Sequence, residues 1–336
     1  MRYQRTSLGP GNRRPANPAR WGAARLPGGS LPARFRRERV LVVGCGDVGQ
    51  RLLRDHRKAG GGPRWLALTS QADKRAALRA LGAAALLGNL DQAPTLRRLA
   101  GLAHRIVHLA PPPGEGERDP RTANLLRSLR RARMPRSLVY GSTSGVYGDC
   151  GGDWVAEPRP LRATTARARR RVDAEARVRS LPAATRSSVL RIPGIYAPDR
   201  VGGTPLPRLQ RGSPVLMADE DVYTNHIHAD DLARACWLAL WRGRARRVYN
   251  INDDSQLRMG DYFDAAAQLY GLPPPPRVSH AQAAQELSAV QMSFMSESRR
   301  LRNIRMKKEL GLRLRYADPL SGLRGASLGG YQPATS

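Results

Sequence analysis

The run Arg39-Val40-Leu41-Val42-Val43 leads without a break into Gly44-Cys45-Gly46-Asp47-Val48-Gly49, and this join constrains the fold more than any other stretch. A short run rich in Val and Leu reads as a buried parallel strand. The G-x-G-x-x-G after it reads as the tight turn onto a helix whose first backbone N–H groups meet a pyrophosphate. Gly44 permits the turn, Gly46 lets the backbone approach a phosphate with no Cβ in the way, and Gly49 lets the helix pack closely on the strand. Val48, Leu52 and Leu53 supply that helix with an apolar face. Its N-terminus adds a dipole worth about 0.3–1 kcal/mol to an anion at an exposed site. A dinucleotide cradle is therefore expected at Gly44, Gly46, Asp47, Val48 and Gly49.

From Arg39 onward strand-like and helix-like stretches alternate, the pattern of an α/β, doubly wound parallel sheet. Strands are expected at 65–68, 84–87, 105–109, 137–140 and 188–192, and helices at 71–81, 95–102, 121–133 and 166–179. After Tyr196 prolines and glycines cut the chain into shorter pieces, and 247–251 reads as a last strand returning to the sheet. The expected organisation is a Rossmann-like nucleotide-binding domain over 39–196, rejoined by 226–254, beside a smaller substrate lobe from 197–225 and 255–323. Residues 1–38 hold nine arginines, five prolines and one acid. They cannot bury enough apolar surface to offset their ordering entropy, and read as a disordered basic tail. Residues 324–336 read as a flexible C-terminus.

Lys and Arg number 57 against 27 acids, a formal charge of +30, and only four of the cations are lysines. A nucleic-acid face wants its charge focused and interleaved with aromatics. Here the arginines are spread along the chain and aromatics make up 5%, so no specific nucleic-acid partner is expected. The skew towards Arg, Ala, Gly and Pro is also what GC-rich codon usage produces. Salt-sensitive sticking to polyanions follows from the charge in either case. No apolar run nears the ~18 residues of a membrane span, and no secretory h-region opens the chain. Cys45, Cys150 and Cys236 are odd in number and widely separated, which fits a reduced cytoplasm. His226 and His228 have no third ligand suggested nearby, so no metal is expected. The partner expected is a small-molecule substrate.

Further motifs follow in order: His108-Leu109-Ala110, Gly141-Ser142-Thr143-Ser144-Gly145-Val146-Tyr147-Gly148-Asp149, Arg191-Ile192-Pro193-Gly194-Ile195-Tyr196-Ala197-Pro198 and Asn225-His226-Ile227-His228-Ala229-Asp230-Asp231-Leu232-Ala233. Together with the glycine loop they resemble the extended and atypical short-chain dehydrogenase/reductases, the NAD(P)-dependent epimerase/dehydratase superfamily, over about 39–323. The resemblance implies that Thr143, four residues before the tyrosine of V-Y-G, polarises a substrate carbonyl. It also implies a Y-x-x-x-K pair on the next helix, and there this chain departs. Arg167 stands at the tyrosine position and Arg171 at the lysine position, and no tyrosine occurs between Gly148 and Ile195. An arginine stays protonated and cannot be a general base, whereas it can hold an anion or steady an oxyanion. Arg171 is therefore expected to grip the cofactor and Arg167 an anionic substrate group or oxyanion. They sit four residues apart on one helix face, with Arg169 and Arg170 pointing elsewhere. Tyr147 or Tyr196 is the candidate substitute proton donor, the alternative for each being a packing role.

NAD sites usually place an acid at the end of the second strand to hold the ribose 2′-OH. This chain offers Thr69-Ser70-Gln71-Ala72-Asp73-Lys74-Arg75. Ser70, Lys74 and Arg75 suit a 2′-phosphate, so NADP(H) is the expected cofactor, with NAD through Asp73 the alternative. Asn89 and Leu90 are read beside the adenine, and Leu109, Ala110, Pro111 and Pro193 along the remaining path of the dinucleotide. His228 with Asp231 reads as a buried hydrogen-bonded pair opening a helix. Cys45 reads as a small residue tolerated in the loop, against the alternative of a thiolate stabilised at a helix N-terminus. Two functions compete: an NAD(P)-binding oxidoreductase- or epimerase-like enzyme acting on a carbonyl or hydroxyl substrate, with a nucleotide-linked sugar as one candidate, and a non-catalytic NADP(H)-binding regulatory or redox-sensing protein.

Overall fold

A computed structural model describes residues 37–57 and 62–327, so the tail expected at 1–38 lies almost wholly outside the described residues, as does most of 324–336. Seven parallel strands form the central sheet: β1 (Arg39–Val43), β2 (Arg64–Thr69), β3 (Ala84–Leu87), β4 (Arg105–His108), β5 (Ser137–Thr143), β6 (Arg186–Ile192) and β7 (Arg247–Asn250). Across the sheet they lie in the order β7-β6-β5-β4-β1-β2-β3. Chain order reverses between the neighbours β1 and β4, which leaves a crevice at the carboxyl ends of the strands there.

The helices that cover and flank this sheet are α1 (Asp47–Arg57), α2 (Lys74–Ala80), α3 (Pro120–Leu129), α4 (Ala166–Arg179) and α5 (Ala229–Arg242); a further helix, α6 (Met259–Tyr270), stands apart from it. Successive strand side chains point to opposite faces. Val40 and Val42 accordingly pack with Leu52 and Leu53 of α1 and Leu232 and Cys236 of α5. Leu41 and Val43 pack on the other face with Leu125 and Leu129 of α3 and Ala174 and Val178 of α4. Each fully buried Val or Leu contributes about 1.5–3 kcal/mol, which is why both faces of β1 must be apolar.

Several boundaries shift. α2 begins at Lys74 rather than 71, and α3 ends at Leu129. The helix expected at 95–102 is a 3₁₀ helix over Ala93–Leu99. Its buried residues, Leu96 and Leu99, are three apart, the spacing that shares a face in a three-residue turn. α4 keeps the expected span, capped by Thr165, whose Oγ1 accepts the Ala168 N–H at 3.2 Å.

A separate apolar cluster gathers around α6, with Leu209, Val215, Leu216, Phe263, Met295 and Leu323. The chain does not stay beside α6 throughout 255–323. Arg300–Leu301 pairs in parallel with Trp154–Val155, and Met306, Leu310 and Leu312 pack into the layer of α1 and α5. Among the described residues no helix is long and apolar enough to cross a membrane.

Candidate functional site

Three adjoining cavities follow the carboxyl ends of the strands. The first, ≈ 460 Å³, lies at the ends of β1, β2 and β3 and is lined by Gly44, Gly46, Ser70, Lys74, Asn89, Leu90, Leu109, Ala110 and Pro111. The second, ≈ 320 Å³, lies over the glycine loop and is lined by Gly44, Gly46, Asp47, Val48, Gly49, Leu109, Thr143, Arg171 and Pro193. The third, ≈ 640 Å³, opens towards the α6 side and takes in Thr143, Arg167, Arg171 and Pro193. The residues read as cofactor-binding thus all stand along the first two cavities, Arg75 excepted. Thr143, Arg167 and Arg171 meet at the third.

The glycine loop is built for close approach. Gly44 has φ +79°, and a Cβ there would lie 2.2 Å from the Ala110 backbone N, because Leu109 and Ala110 both donate their N–H groups to Val43 O. At Gly46 a Cβ would meet nothing within 4 Å; the space beside it is the cavity itself. At Gly49 a Cβ would meet Val42 and Cys45 side chains at 3.1 Å, so α1 packs tightly on β1. Burial pushes the Cys45 thiol up to about 12, which leaves it neutral despite the nearby helix N-terminus. Asp47 accepts hydrogen bonds from Arg51 Nε at 3.1 Å and Arg200 Nη1 at 2.9 Å. Arg51, itself buried, also bonds Asp199 and Asp230.

Around the first cavity, no acid stands at the end of β2. Asp73 and Arg75 do not line the cavity, while Lys74, the first residue of α2, does. The acid that lines it, Asp91, is held in a two-point pair by Arg121 at 2.7 and 2.8 Å.

At the join of the second and third cavities, Thr143 Oγ1 accepts the Gly145 N–H at 3.2 Å, which leaves the hydroxyl proton free to donate. Arg171 Nη1 donates to Gly141 O at 2.7 Å and to the Tyr140 hydroxyl at 3.1 Å. Arg167 stacks its guanidinium over the Phe294 ring, 4.8 Å from the centroid. Beneath them Ser142 and Arg191 both bond Glu175, a buried pair that holds the end of β5.

Three expectations need correction. Tyr147 lies outside the cavities: it is fully buried, and its hydroxyl donates to Asn250 Oδ1 at 2.7 Å. Burial raises its pKa, and its position matches the packing alternative. Tyr196 likewise donates to Asp318 O at 3.0 Å. Arg170 does not point away: it is 6% exposed, donates Nη1 to Gly116 O and lines the third cavity with Arg167 and Arg171. Only Arg169 turns outward, to Glu117. His228 caps α5 by accepting the Asp230 N–H at 3.2 Å. Asp231 instead accepts from the Arg315 and Tyr316 N–H groups and from Arg234. Burial lowers the His226 pKa to about 4, and among the described residues no cluster of three metal-type ligands forms.

The third cavity also takes in Arg200, Arg208, Tyr223, Asn225, Glu297 and Arg299, none of which was read as part of the site. Asn225 stood within a quoted motif. The others come from loops and short helices whose approach to the sheet has no sequence pattern.

The sequence model of the NAD dependent epimerase/dehydratase family matches residues 40–252. A functionally unknown conserved protein from Silicibacter pomeroyi DSS superposes with a TM-score of 0.73 at 32% identity, over 86% of this chain and 98% of that one. The UDP-glucose 4-epimerase of Thermotoga maritima, solved with UDP-glucose, superposes at 0.69 and 17% identity, over 85% and 96%. The dTDP-glucose 4,6-dehydratase of Bacillus anthracis, solved with NAD, superposes at 0.68 and 17% identity, over 86% and 95%. These last two likenesses are of fold. A trifunctional UDP-glucose 4,6-dehydratase/UDP-4-keto-6-deoxy-D-glucose 3,5-epimerase/UDP-4-keto-L-rhamnose-reductase of Arabidopsis thaliana is 24% identical over 172 residues, 47% of this chain. The match spans 25% of that relative's length.

Proposed function

This chain belongs to the NAD dependent epimerase/dehydratase family, and we propose that it is an NADP(H)-dependent oxidoreductase- or epimerase-like enzyme acting on a carbonyl or hydroxyl carbon, with a nucleotide-linked sugar as the candidate substrate. The observation that carries this reading is the shared wall: Thr143, Arg171 and Pro193 line both the cavity over the glycine loop and the larger one beyond it.

The residues fit a dinucleotide. Gly46 leaves open the space a Cβ would fill, and the first N–H groups of α1 face an anion with a favourable dipole. Ser70 and Lys74 would hold a 2′-phosphate, Asn89 and Leu90 would flank the adenine, and Arg171 would hold the far ribose in place of the family's lysine. When bound, a nicotinamide cofactor supplies hydride exchange with the substrate carbon. Thr143 would donate a hydrogen bond from its hydroxyl to the substrate oxygen. Arg167 and Arg171 steady the negative charge that grows there, and as permanent cations take no proton themselves.

A second reading, a non-catalytic NADP(H)-binding regulator, is favoured by one observation: both substitute tyrosines are bonded away from the cavity. NADPH and NADH are titrated by fluorescence against wild type, Gly46→Asp and Lys74→Ala, and NADPH oxidation is followed across sugars, aldehydes and ketones. The enzyme reading expects loss of binding in Gly46→Asp and about tenfold weaker NADPH but unchanged NADH in Lys74→Ala, with turnover of some substrate. Equal, loop-independent binding of both cofactors would overturn the NADP(H) assignment. Tight binding without turnover would establish the regulator.

A further inference from the structure

We infer that the substrate is an anion held at two points, with one acidic group beside its reacting carbon on Arg167 and a second on Arg208; this rests on the third cavity being the substrate site. Six arginines line that cavity, against one acid, Glu297. Two of the six are already neutralised, Arg200 by Asp47 and Arg299 by Glu297. The other four, Arg167, Arg170, Arg171 and Arg208, have no carboxylate within ion-pair distance among the described residues.

Composition does not account for this. An exposed arginine in an arginine-rich chain costs little, but a buried one must be paired or it carries a desolvation penalty of several kcal/mol. Elsewhere this protein obeys that rule. Buried Arg51 meets three aspartates, buried Arg191 meets Glu175, and buried Arg105 meets Glu38. Among the four buried arginines of the described residues the one exception, Arg170, stands on this cavity. Arg170 is as buried as those three, yet its Nη1 has only the Gly116 carbonyl and its Nε has no partner. Arg208 is half-buried, with a carbonyl, Pro214 O, for its Nη2 and an inaccessible, unpartnered Nε. It stacks over the Phe263 ring at 4.4 Å, and burial lowers its pKa.

The placement gives the substrate its two ends. Arg171 touches the wall shared with the glycine-loop cavity, and Arg167 is one turn before it on α4. Arg208 comes from the short helix Leu206–Gln210, which packs in the α6 cluster. A carboxylate or a phosphate meets this chemistry, since both accept charge-assisted bonds from guanidinium.

The test uses the full chain with saturating NADPH, so that the glycine-loop end is filled, and reads binding of inorganic tripolyphosphate and of propane-1,2,3-tricarboxylate by calorimetry. Wild type should bind at least one of the two probes, and the tighter probe tells phosphate from carboxylate. Arg167→Gln and Arg208→Gln should each weaken it about tenfold, while Arg169→Gln, which alters an outward pair, should change it less than twofold. Failure of wild type to bind either probe, or equal affinities in all three variants, would overturn the inference, the latter by showing general adhesion to a cationic surface. If wild type binds no NADPH, the cofactor reading fails by itself, and the anion titrations are read without it.

Discussion

Gly44 and Gly46 stand two residues apart in one loop and should fail in opposite ways when given a methyl group. At Gly44 the backbone sits at φ +79° and the new Cβ would meet the Ala110 backbone N at 2.2 Å. A left-handed alanine costs about 1–2 kcal/mol. The overlap adds about 1–3 kcal/mol, because the atom it meets is main chain tied to Val43. Gly44→Ala should therefore destabilise the fold by about 2–5 kcal/mol, read as urea unfolding and as a Tm lower by about 4–10 °C at about 2 °C per kcal/mol for a chain this size. Gly46→Ala places its methyl where nothing lies within 4 Å. Its stability should stay within about 0.5 kcal/mol of wild type, while NADPH affinity falls, because the methyl occupies the space a phosphate needs. A Gly46→Ala that unfolds the protein, or a Gly44→Ala as stable as wild type, would refute the geometry. A stable Gly46→Ala with undiminished NADPH affinity would refute the placement of the phosphate.

Two more outcomes follow from buried charge. In Glu175→Gln, Arg191 loses its carboxylate in a pair whose side chains are each 2% exposed; the cost should be about 3–5 kcal/mol in urea unfolding, and a loss under 1 kcal/mol would show that the pair does not hold β5. Burial pushes the Asp253 carboxyl up to about 8, against hydrogen bonds from the Ser255 N–H and hydroxyl. The folded protein keeps that proton from about pH 4 to pH 8 while the unfolded chain has released it, so this group's contribution to stability falls as pH rises through that window. Asp253→Asn stays neutral and nearly isosteric, and its stability relative to wild type should climb by about 1.4 kcal/mol per pH unit between pH 5 and pH 7. A pH-independent difference would refute the raised pKa.

What the sequence made legible was local. The apolar run of β1, the three glycines and the Thr165 cap each state their geometry within a few residues, and the cavities over the glycine loop follow from them. Tyr147 was misleading because V-Y-G fixes where its backbone lies but not whether the ring turns towards the cleft or towards Asn250, a residue 103 positions away. Arg170 stands three residues after Arg167, a spacing that shares a helix face as a spacing of four does, so the expectation that it points elsewhere did not follow from helix geometry. The loop at Gly116 brings a carbonyl to it, a contact that the helix pattern does not contain. Arg200, Arg208 and Arg299 sit among 53 arginines that look alike in sequence. What separates them is the lack or presence of a carboxylate partner, which only tertiary packing decides. The 3₁₀ turn at Ala93–Leu99 was hidden for a related reason: Leu96 and Leu99 fit an α pattern as well as a tighter one.

The side chains of Thr143, Arg171, Pro193, Ile195 and Arg200 each belong to two cavity walls at once. Two molecules seated on either side of such a partition are not independent ligands. The factor by which one alters the affinity of the other is the same read from either direction, and couplings of this kind typically run about 5–150-fold. Selection acting on one side of the partition therefore also acts on the other. A replacement at Arg171 that suits a new occupant of the larger cavity changes the grip on whatever fills the smaller one, so compensating changes should arise in the glycine loop or at Pro193 rather than farther down the larger cavity.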